Sequence, residues 1–562
     1  MMVQPGDNTR LAVALMRLIL GGFLLTAGCV TAQNRTISEV DAAAPTADFE
    51  PVLGDGMGEW EEQLPDERLP TYDALDDTSS YDSAATTWSY TPTRETEPDP
   101  EWRDKAQARI DAHRKADLTV LVYDERGNPV TDADVSLRMT RHEFGFGSAV
   151  AAKFISGDDP NTATYRGMIR RLFNVVTIES DLKWPHWEDL ANRKLALAAL
   201  RWLRENDFPV RGHNLLWGGH SWLPPDVPGL TSNPAALEQR VTGHLVDEVS
   251  LLEGELFEWD VVNEPDYYDV LTRALGEEKL IEWYQLVHRL DPQARLFINE
   301  YGIITGSDYK QQNYEDTIRS LVDGGAPLHG IGLQGHFSWT LTAPSNVLKT
   351  LDRFAAFGLP LEITELDVDL SDETLQADFM RDFMTVVFSH PAVTNIVMWG
   401  FWEGRHWRPN AALYRLDWSI KPIGKVWNEL VFGEWWTRVQ GRTDAAGRFM
   451  TRGFRGAYQV TVQNGNAVLQ RDVTLGRDGR VVAIRFGELE TPGIPGRPAD
   501  AVATPLPPEA DPSAFHFNAA PVYPNHMDDE SNTYDAQSHD DWDDTHEFDA
   551  GRDDWDADGV RE

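Results

Sequence analysis

Short apolar or β-branched runs recur along the middle of the chain and alternate with helix-like segments. The runs begin near residues 144, 173, 208, 256, 294, 328, 359 and 393. Between them lie stretches with helical spacing of apolar residues, such as NRKLALAALRWLREN at 192–206. Eight strands at steps of about 30 to 45 residues, each followed by a helix, are typical of a (β/α)8 barrel. The pattern therefore predicts an α/β fold, a TIM barrel over residues 144–432.

Polar and aromatic side chains stand at the ends of these predicted strands. They are Glu179, His213, Glu264, Glu300, His336, Glu365 and Trp399. Because the carboxyl ends of barrel strands meet at one mouth, we expect these side chains to surround a shared cavity. A carboxylate is costly to bury without a partner, so one at such a position is either salt-bridged or functional.

Glu264 and Glu365 end the predicted fourth and seventh strands, on opposite sides of the mouth. Two carboxyl groups across a cleft can cleave a glycosidic bond, because one protonates the leaving oxygen while the other attacks or stabilises the anomeric carbon. A single strand-end glutamate is more often a salt-bridged carboxylate. Two of them in one array with histidine and tryptophan favour a catalytic pair.

Residues 144–432 resemble family-10 glycoside hydrolases, the family of endo-1,4-β-xylanases. The family motif WDVVNE stands at 259–264, and the motif ITELD stands at 363–367. The resemblance implies that Glu264 is the acid/base and Glu365 the nucleophile of a retaining, endo-acting enzyme that cleaves internal β-1,4-xylosidic bonds of xylan. It implies no cofactor and no metal site.

The same resemblance assigns further residues around the pair. Asn263 is expected to donate to the 2-hydroxyl of the sugar whose bond breaks, His336 to hold Glu365, and Asp367 to orient the imidazole of His336. Contacts to the sugar chain are expected from Glu179, Lys183, Trp184, His213, Trp217, Gln334, Trp399 and Trp407.

Three places depart from the family pattern, and they bear on the substrate more than on the reaction. Ser180 replaces the usual Asn, Gly218 and Gly219 stand in an unusual WGGHSW segment, and Pro265 follows the acid/base. The sequence therefore leaves open a β-glycanase that acts on cellulose, mannan or mixed-linkage glucan. A surface lipoprotein that binds glycan without cleaving it is a third alternative, against which the presence of both glutamates argues.

The segments on either side of the barrel carry strand patterns of their own. Residues 117–140 predict two strands joined by a Gly-Asn-Pro turn, and residues 437–486 predict four or five more, separated by Gly-containing turns. Together they resemble one carboxypeptidase-regulatory-like β-sandwich. We therefore expect residues 101–143 and 433–487 to form one small all-β domain into which the barrel is inserted. Two independent caps on the barrel are the alternative.

The formal net charge of −41 argues against a nucleic-acid partner, because phosphate binding needs a basic face. Residues 30–100 and 488–562 are acidic, polar and without sustained apolar periodicity. Such a composition buries too little surface to offset chain entropy, so we predict a disordered linker and a disordered tail. The expected partner is a polysaccharide, xylan, and the expected oligomeric state is a monomer.

The first 29 residues resemble an export signal. The apolar stretch 18–28 has the length of a signal-peptide core and is too short to span a bilayer. Cys29 is the only cysteine of the chain and stands where a bacterial lipoprotein signal places the lipidated residue. We predict an exported protein anchored to a membrane through Cys29, in the periplasm or at the cell surface. An ordinary cleaved signal and a secreted protein are the alternative.

Overall fold

The computed structural model describes residues 99–338 and 340–487. The predicted signal with Cys29, nearly all of the predicted linker and the whole predicted tail lie outside the described residues. Among the helices in the described ranges, none combines the length and the apolar character that a membrane crossing requires.

Eight parallel strands of the described residues close into a barrel. The strands of the described residues are β1 Lys115–Tyr123, β2 Asp134–His142, β3 Gly145–Val150, β4 Val175–Ile178, β5 Val210–Gly212, β6 Leu216–Trp217, β7 Glu258–Asn263, β8 Arg295–Glu300, β9 Gly330–Leu333, β10 His336–Phe337, β11 Leu361–Val368, β12 Val393–Met398, β13 Arg438–Arg442, β14 Arg448–Phe454, β15 Gly456–Asn464, β16 Ala467–Leu475 and β17 Arg480–Arg485. In the barrel, pairing runs in the order β3, β4, β5, β7, β8, β9, β11 and β12, and β12 returns to β3. The predicted (β/α)8 barrel is confirmed.

Amphipathic helices surround the barrel strands. They are α1 Trp102–His113, α2 Ala152–Ser156, α3 Thr162–Leu172, α4 Trp184–Glu188, α5 Leu190–Glu205, α6 Pro234–Leu251, α7 Val270–Leu275, α8 Glu278–Leu290, α9 Asp308–Asp323, α10 Pro344–Ala355, α11 Glu373–Ser389 and α12 Pro422–Asn428. In α5 the buried residues Ala196, Leu200 and Leu203 follow the helical period, so one face packs on the barrel. Asp189 fixes the start of α5, because its carboxylate accepts two backbone hydrogen bonds of the first turn.

Helix α1 precedes the barrel and covers part of its outer surface. The sequence predicts that residues 101–143 belong to an all-β domain, with strands at 117–140, and the structure corrects this at the start of the segment, which is helical. The buried residues of α1 recur at every fourth position, which is a helical and not a strand period: Trp102, Ala106 and Ile110. Arg103 pairs with Asp382 of α11 at 2.6 Å, so α11 is covered on its outer side as well.

Strands before and after the barrel pair with each other in two sheets. In one sheet β1 lies between β14 and β17, and in the other β2 lies between β13 and β15, with β16 beside β15. Alternate residues of these strands are buried: Leu118, Val120, Val122, Val135, Leu137, Met139, Val460 and Val462. The two flanking segments therefore share both sheets. Their likeness to a carboxypeptidase-regulatory-like domain stays a prediction.

Candidate active site

Glu264 directly follows β7 and Glu365 lies in the carboxyl-terminal half of β11, at the same mouth of the barrel. Both residues are buried, with 7% and 4% of their surface exposed. Glu264 follows the last residue of β7 with φ 53, which is uncommon for a residue other than glycine. Its N–H donates to the carbonyl oxygen of Asn299 on β8 at 2.8 Å. The chain thus turns at Glu264, and the neighbouring strand fixes that turn.

The carboxyl group of Glu264 accepts two side-chain hydrogen bonds. Gln334 donates from Nε2 at 2.7 Å, and Trp217 donates from Nε1 at 3.2 Å. Burial raises the pKa of Glu264 to about 7, the bond from Gln334 opposes the rise, and the charge of Glu365 adds to it. Near neutral pH this carboxyl group therefore retains a proton that it can give away, as a general acid requires.

Glu365 is held from two sides. Asn299 donates from Nδ2 to one carboxylate oxygen at 2.7 Å, and Nε2 of His336 lies 3.3 Å from the other. Asp367 lies 2.8 Å from Nδ1 of the same ring. Burial alone would lower the pKa of His336, but the charge of Asp367 and the bonds to both carboxylates raise it to about 9. The imidazole is therefore cationic at neutral pH and donates to both carboxylates, which orients Glu365.

Asn299 is a site residue to which the sequence pattern did not point. It is fully buried and donates from Nδ2 to Glu365 and, at 2.8 Å, to Oδ1 of Asn263. The hydroxyl of Thr364 donates to Oδ1 of Asn299 at 2.7 Å. Asn299 therefore ties the neighbour of Glu264 to Glu365. Its place after the apolar run 296–298 and next to Glu300 marks it as a strand-end polar residue, but does not reveal its contacts.

Glu300, the next residue on β8, supports the chain behind Glu264. Its carboxyl oxygens accept the backbone N–H groups of Asp266 at 3.2 Å and Tyr301 at 2.9 Å. Burial raises the pKa of Glu300 well above its usual value, and the charge of Glu264 adds to the rise. Glu300 thus positions the segment that follows Glu264.

Lys183 lies near three glutamates of the mouth. Its Nζ is 5.0 Å from the centre of the Trp217 ring. Burial lowers the pKa of Lys183, while the charges of Glu179, Glu365 and Glu264 oppose the shift. A single ammonium group thus balances part of the negative charge that these glutamates concentrate.

His213 and Trp399 form an aromatic corner beside the pair. Nδ1 of His213 lies 2.9 Å from Asp260, which fixes the ring orientation. The His213 ring meets Trp399 edge-on at 4.9 Å, and Trp399 lies 6.5 Å from the ring of His336. The structure therefore brings Trp399 and both histidines together at the mouth.

Two arginines from the loop after β12 reach the same mouth, and the sequence pattern did not point to them. Arg405 pairs with Glu179 at 3.2 Å. Arg408 lies 3.5 Å from Asp367 and stacks over the ring of Trp407 at 4.1 Å. Trp407 also donates from Nε1 to Asp367 at 2.8 Å and stays 49% exposed, so it offers an open ring to a ligand.

Trp184 is the one predicted sugar contact that the structure places away from the mouth. Its ring stacks on His244 at 4.3 Å, its Nε1 donates to Glu188, and only 1% of its surface is exposed. No face of the ring is open to a sugar. The assignment of Trp184 to substrate binding is therefore corrected: Trp184 is a core residue at the start of α4.

The departure at Gly218 and Gly219 packs against the segment that follows Pro265. A Cβ atom at Gly218 would lie 2.2 Å from the carbonyl oxygen of Tyr268, and one at Gly219 would lie 2.8 Å from the Tyr268 ring. The rings of Trp217 and Trp222 stack in parallel at 4.2 Å on the other side of these glycines. The glycines are therefore required for the close approach of the segment that contains Tyr268.

The site can therefore supply a proton from Glu264 and an oriented carboxylate from Glu365 beside an open aromatic ring. Comparisons with known proteins agree with this chemistry. The family model described as glycosyl hydrolase family 10 matches residues 136–424.

Curated and solved proteins resemble the same part of the chain. Anti-sigma-I factor RsgI6 of Acetivibrio thermocellus is 33% identical over 367 residues, which cover 64% of this chain and 47% of that protein. Endo-1,4-beta-xylanase 1 of Arabidopsis thaliana is 30% identical over 360 residues, covering 63% and 37%. Among solved structures, xylanase 10B from Thermotoga petrophila in complex with xylobiose is 28% identical with a TM-score of 0.48, covering 52% of this chain and 95% of that one. The match spans less than half the length of either curated relative.

Proposed function

The chain belongs to glycosyl hydrolase family 10, and from this premise we propose that it is a retaining, endo-acting β-1,4-xylanase. Glu264 protonates the leaving oxygen while Glu365 attacks the anomeric carbon and forms a glycosyl-enzyme intermediate. Glu264 then takes a proton from the water that hydrolyses this intermediate. Internal bonds of xylan are cleaved with retention of configuration.

One observation carries the proposal: a carboxyl group with a pKa of about 7, Glu264, shares the barrel mouth with a second carboxylate that is oriented by two donors. An acid for the first step must be protonated when the nucleophile is ionised, and the different surroundings of Glu264 and Glu365 support that division. Positioned proton transfer typically contributes about 10² to 10⁴ in rate.

The remaining residues of the mouth support binding of a sugar chain. Trp407 offers an exposed ring for stacking, and Lys183 and Glu179 offer polar groups for hydroxyls. Asn263, whose Oδ1 is already engaged by Asn299, has its amide nitrogen for the 2-hydroxyl of the reacting sugar. The similarity to endo-1,4-beta-xylanase 1 of Arabidopsis thaliana supports xylan as the polymer.

Product analysis tests the proposal. We expect purified full-length protein to release short β-1,4-xylooligosaccharides from glucuronoxylan and arabinoxylan, with the β-anomer appearing first by NMR. Glu365→Gln serves as the inactive control. An α-anomer at first turnover would contradict retention, which requires the two carboxyl groups to lie about 5 to 5.5 Å apart.

Two other outcomes identify the alternatives. Release of products from cellulose, mannan or mixed-linkage glucan with no release from xylan would make the protein a different β-glycanase. Binding of xylan without any release of reducing sugar would indicate a glycan-binding surface protein.

A further inference from the structure

The segment after the barrel carries a net positive charge, whereas the whole chain is strongly negative. Residues 437–487 contain nine arginines and three aspartates, with no lysine and no glutamate, in a protein whose formal net charge is −41. Clustered positive charge of this kind creates a local potential that attracts anionic groups.

One outer face of the small β-domain is apolar at its centre. In the sheet of β14, β1 and β17, Thr119 stands opposite Met450 on one side and beside Val481 on the other. Leu121 stands beside Ala483 in the next row of the same face. Met450 is 58% exposed and Val481 is 63% exposed, although both are large apolar side chains. The centre of this face is thus an open apolar surface.

Arginines border this apolar centre. Arg452 stands opposite Asp117, Arg448 opposite Leu121, and Arg485 beside Tyr123. The side chains of Arg448 and Arg452 are 51% and 48% exposed, and each lies 3.2 Å from one exposed aspartate, Asp444 and Asp117 respectively. We call the surface of Thr119, Leu121, Met450, Val481 and Ala483, with its border of Arg448, Arg452 and Arg485, the rimmed face.

Several cationic residues lie beside one end of the rimmed face. Arg452 donates to the carbonyl oxygen of Asp111 in the last turn of α1, which places this end beside His113. Burial lowers the pKa of His113, and nearby positive charges lower it further: Arg114, Arg477, Arg109 and Arg455. A ligand for the rimmed face therefore needs both negative charge and apolar surface.

We propose that residues 540–558 of this same chain dock on the rimmed face. They read DDWDDTHEFDAGRDDWDAD and contain ten carboxylates and one arginine, with Trp542, Phe548 and Trp555 between the charges. The carboxylates pair with the guanidinium groups of the border, because Arg and carboxylate match in charge and in geometry. The aromatic rings cover the apolar centre.

Connectivity favours this segment over an unconnected partner. Gly487 follows β17, which is itself a strand of the rimmed face. The stretch 488–539 can span up to about 170 Å when extended, so its length does not limit the reach of the segment. A covalent tether also keeps the ligand at an effective concentration on the order of 1 mM, which allows weak contacts to persist.

Oxidation of Met450 reports directly on the rimmed face. The full-length protein is treated with hydrogen peroxide, and the rate of Met450 sulfoxide formation is measured by peptide mass spectrometry relative to the half-buried Met168. If the dissociation constant lies below the effective concentration, which is on the order of 1 mM, docking slows the oxidation of Met450 several-fold. Salt should remove this protection, since it screens exposed charge pairs.

Charge-matched variants identify the ligand. The first variant neutralises the proposed segment through Asp541→Asn, Asp543→Asn, Asp544→Asn, Asp553→Asn and Asp554→Asn. The control neutralises five acids elsewhere through Glu61→Gln, Glu62→Gln, Asp66→Asn, Asp76→Asn and Asp77→Asn. We expect the Met450 rate to rise several-fold in the first variant and to stay unchanged in the control. Equal Met450 rates in all three proteins would overturn the proposal.

The arginine side is tested in the same way. Arg448→Gln with Arg452→Gln should raise the oxidation rate of Met450. The control pair, Arg438→Gln with Arg442→Gln on the other sheet, should leave that rate unchanged. Both pairs are exposed, so neither change should prevent folding. Protection of Met450 that grows with protein concentration would also overturn the proposal, because the ligand would then be the tail of a second copy.

Discussion

Nε2 of Gln334 lies 2.7 Å from Oε1 of Glu264 and donates to it. Burial raises the pKa of Glu264 to about 7, and this hydrogen bond is the largest influence that opposes the rise. A donor to the ionised form favours ionisation, whereas burial disfavours it. Gln334 therefore sets how far into the alkaline range Glu264 can act as an acid.

Replacement of Gln334 with Ala should move the alkaline limb of the pH profile to higher pH. The kcat/KM requires protonated Glu264, so in the unchanged protein it falls as pH rises through about 7. Loss of the donor raises the pKa of Glu264 further, and the fall begins later. The profile is measured with an aryl xylobioside, and Gln107→Ala, on the exposed surface of α1, is the matched control. A limb that stays in place or moves to lower pH would contradict the role of Gln334.

The two glutamates should respond differently to substrates with different leaving groups. Glu365→Ala should abolish activity on every substrate, because no nucleophile remains. Glu264→Ala should lose about 10² to 10⁴ on xylan but keep most of its glycosylation rate on a dinitrophenyl glycoside, whose leaving group needs little protonation. Pre-steady-state release of dinitrophenol measures this rate. Equal losses on both substrates in the Glu264 variant would reverse the assignment.

We propose that the mature protein begins at a lipidated Cys29. The proposal depends on the apolar stretch 18–28 and on Cys29 being the only cysteine of the chain. A lipid-modified N-terminal peptide should appear by mass spectrometry and disappear in Cys29→Ser. An unmodified peptide that starts after residue 30 would show instead that the signal is simply cleaved.

The sequence sufficed for those parts of the site that depend on strand position alone. Glu264 and His336 could be placed at one mouth because barrel strands converge at their carboxyl ends. Asn299 could not, since its function depends on the direction of one amide inside β8. Trp184 illustrates the opposite error: it stands next to Lys183 in a family motif, but the turn into α4 directs its ring to the core.

The pairing of the flanking strands depends on contacts that no local pattern encodes. The strand propensity of residues 117–140 is local, and so is their alternation of apolar and polar positions. The register that sets Lys115 opposite Phe454 joins residues far apart in sequence. Helix α1 was missed because few of its positions are apolar, which leaves the helical period hard to distinguish from a polar linker.

Arg211→Ala should destabilise the protein by about 3 to 5 kcal/mol, because removal of one partner leaves buried charges unpaired. The side chain is fully buried and contacts Asp260 at 2.8 Å, Glu362 at 3.1 Å and also Glu258. Urea unfolding followed by circular dichroism measures the free energy of unfolding. Arg319→Ala is the control: the Arg319 side chain is 55% exposed and its partner Glu315 keeps an ion pair with Arg353, so a change below about 1 kcal/mol is expected. Similar losses for both variants would show that the buried cluster contributes little.

The small β-domain should be needed for the stability of the barrel. Deletion of residues 437–487 removes every strand that pairs with β1 and β2, and so exposes their buried faces. Aromatic contacts join the two parts: Phe388 of the barrel stacks on Trp435 at 4.2 Å, and His142 meets Phe146 at 5.0 Å. We therefore expect the deletion to lower the solubility of the protein and its Tm. The Tm is measured by circular dichroism, and the temperature at which xylan hydrolysis is lost should fall with it.

A point variant tests the packing of the small β-domain without deleting any of its strands. Leu137→Ala, in the centre of β2, should cost about 2 to 5 kcal/mol, because Leu137 is 1% exposed and a cavity would remain. Val468→Ala on β16 is the control, since Val468 is 51% exposed and its change should stay within about 0.5 kcal/mol. If Leu137→Ala lowers the free energy of unfolding while activity is lost at an unchanged temperature, the β-domain unfolds independently and does not support the barrel. Coincident loss of both signals is expected, because the buried faces of β2 and β15 belong to the same hydrophobic core as the barrel strands.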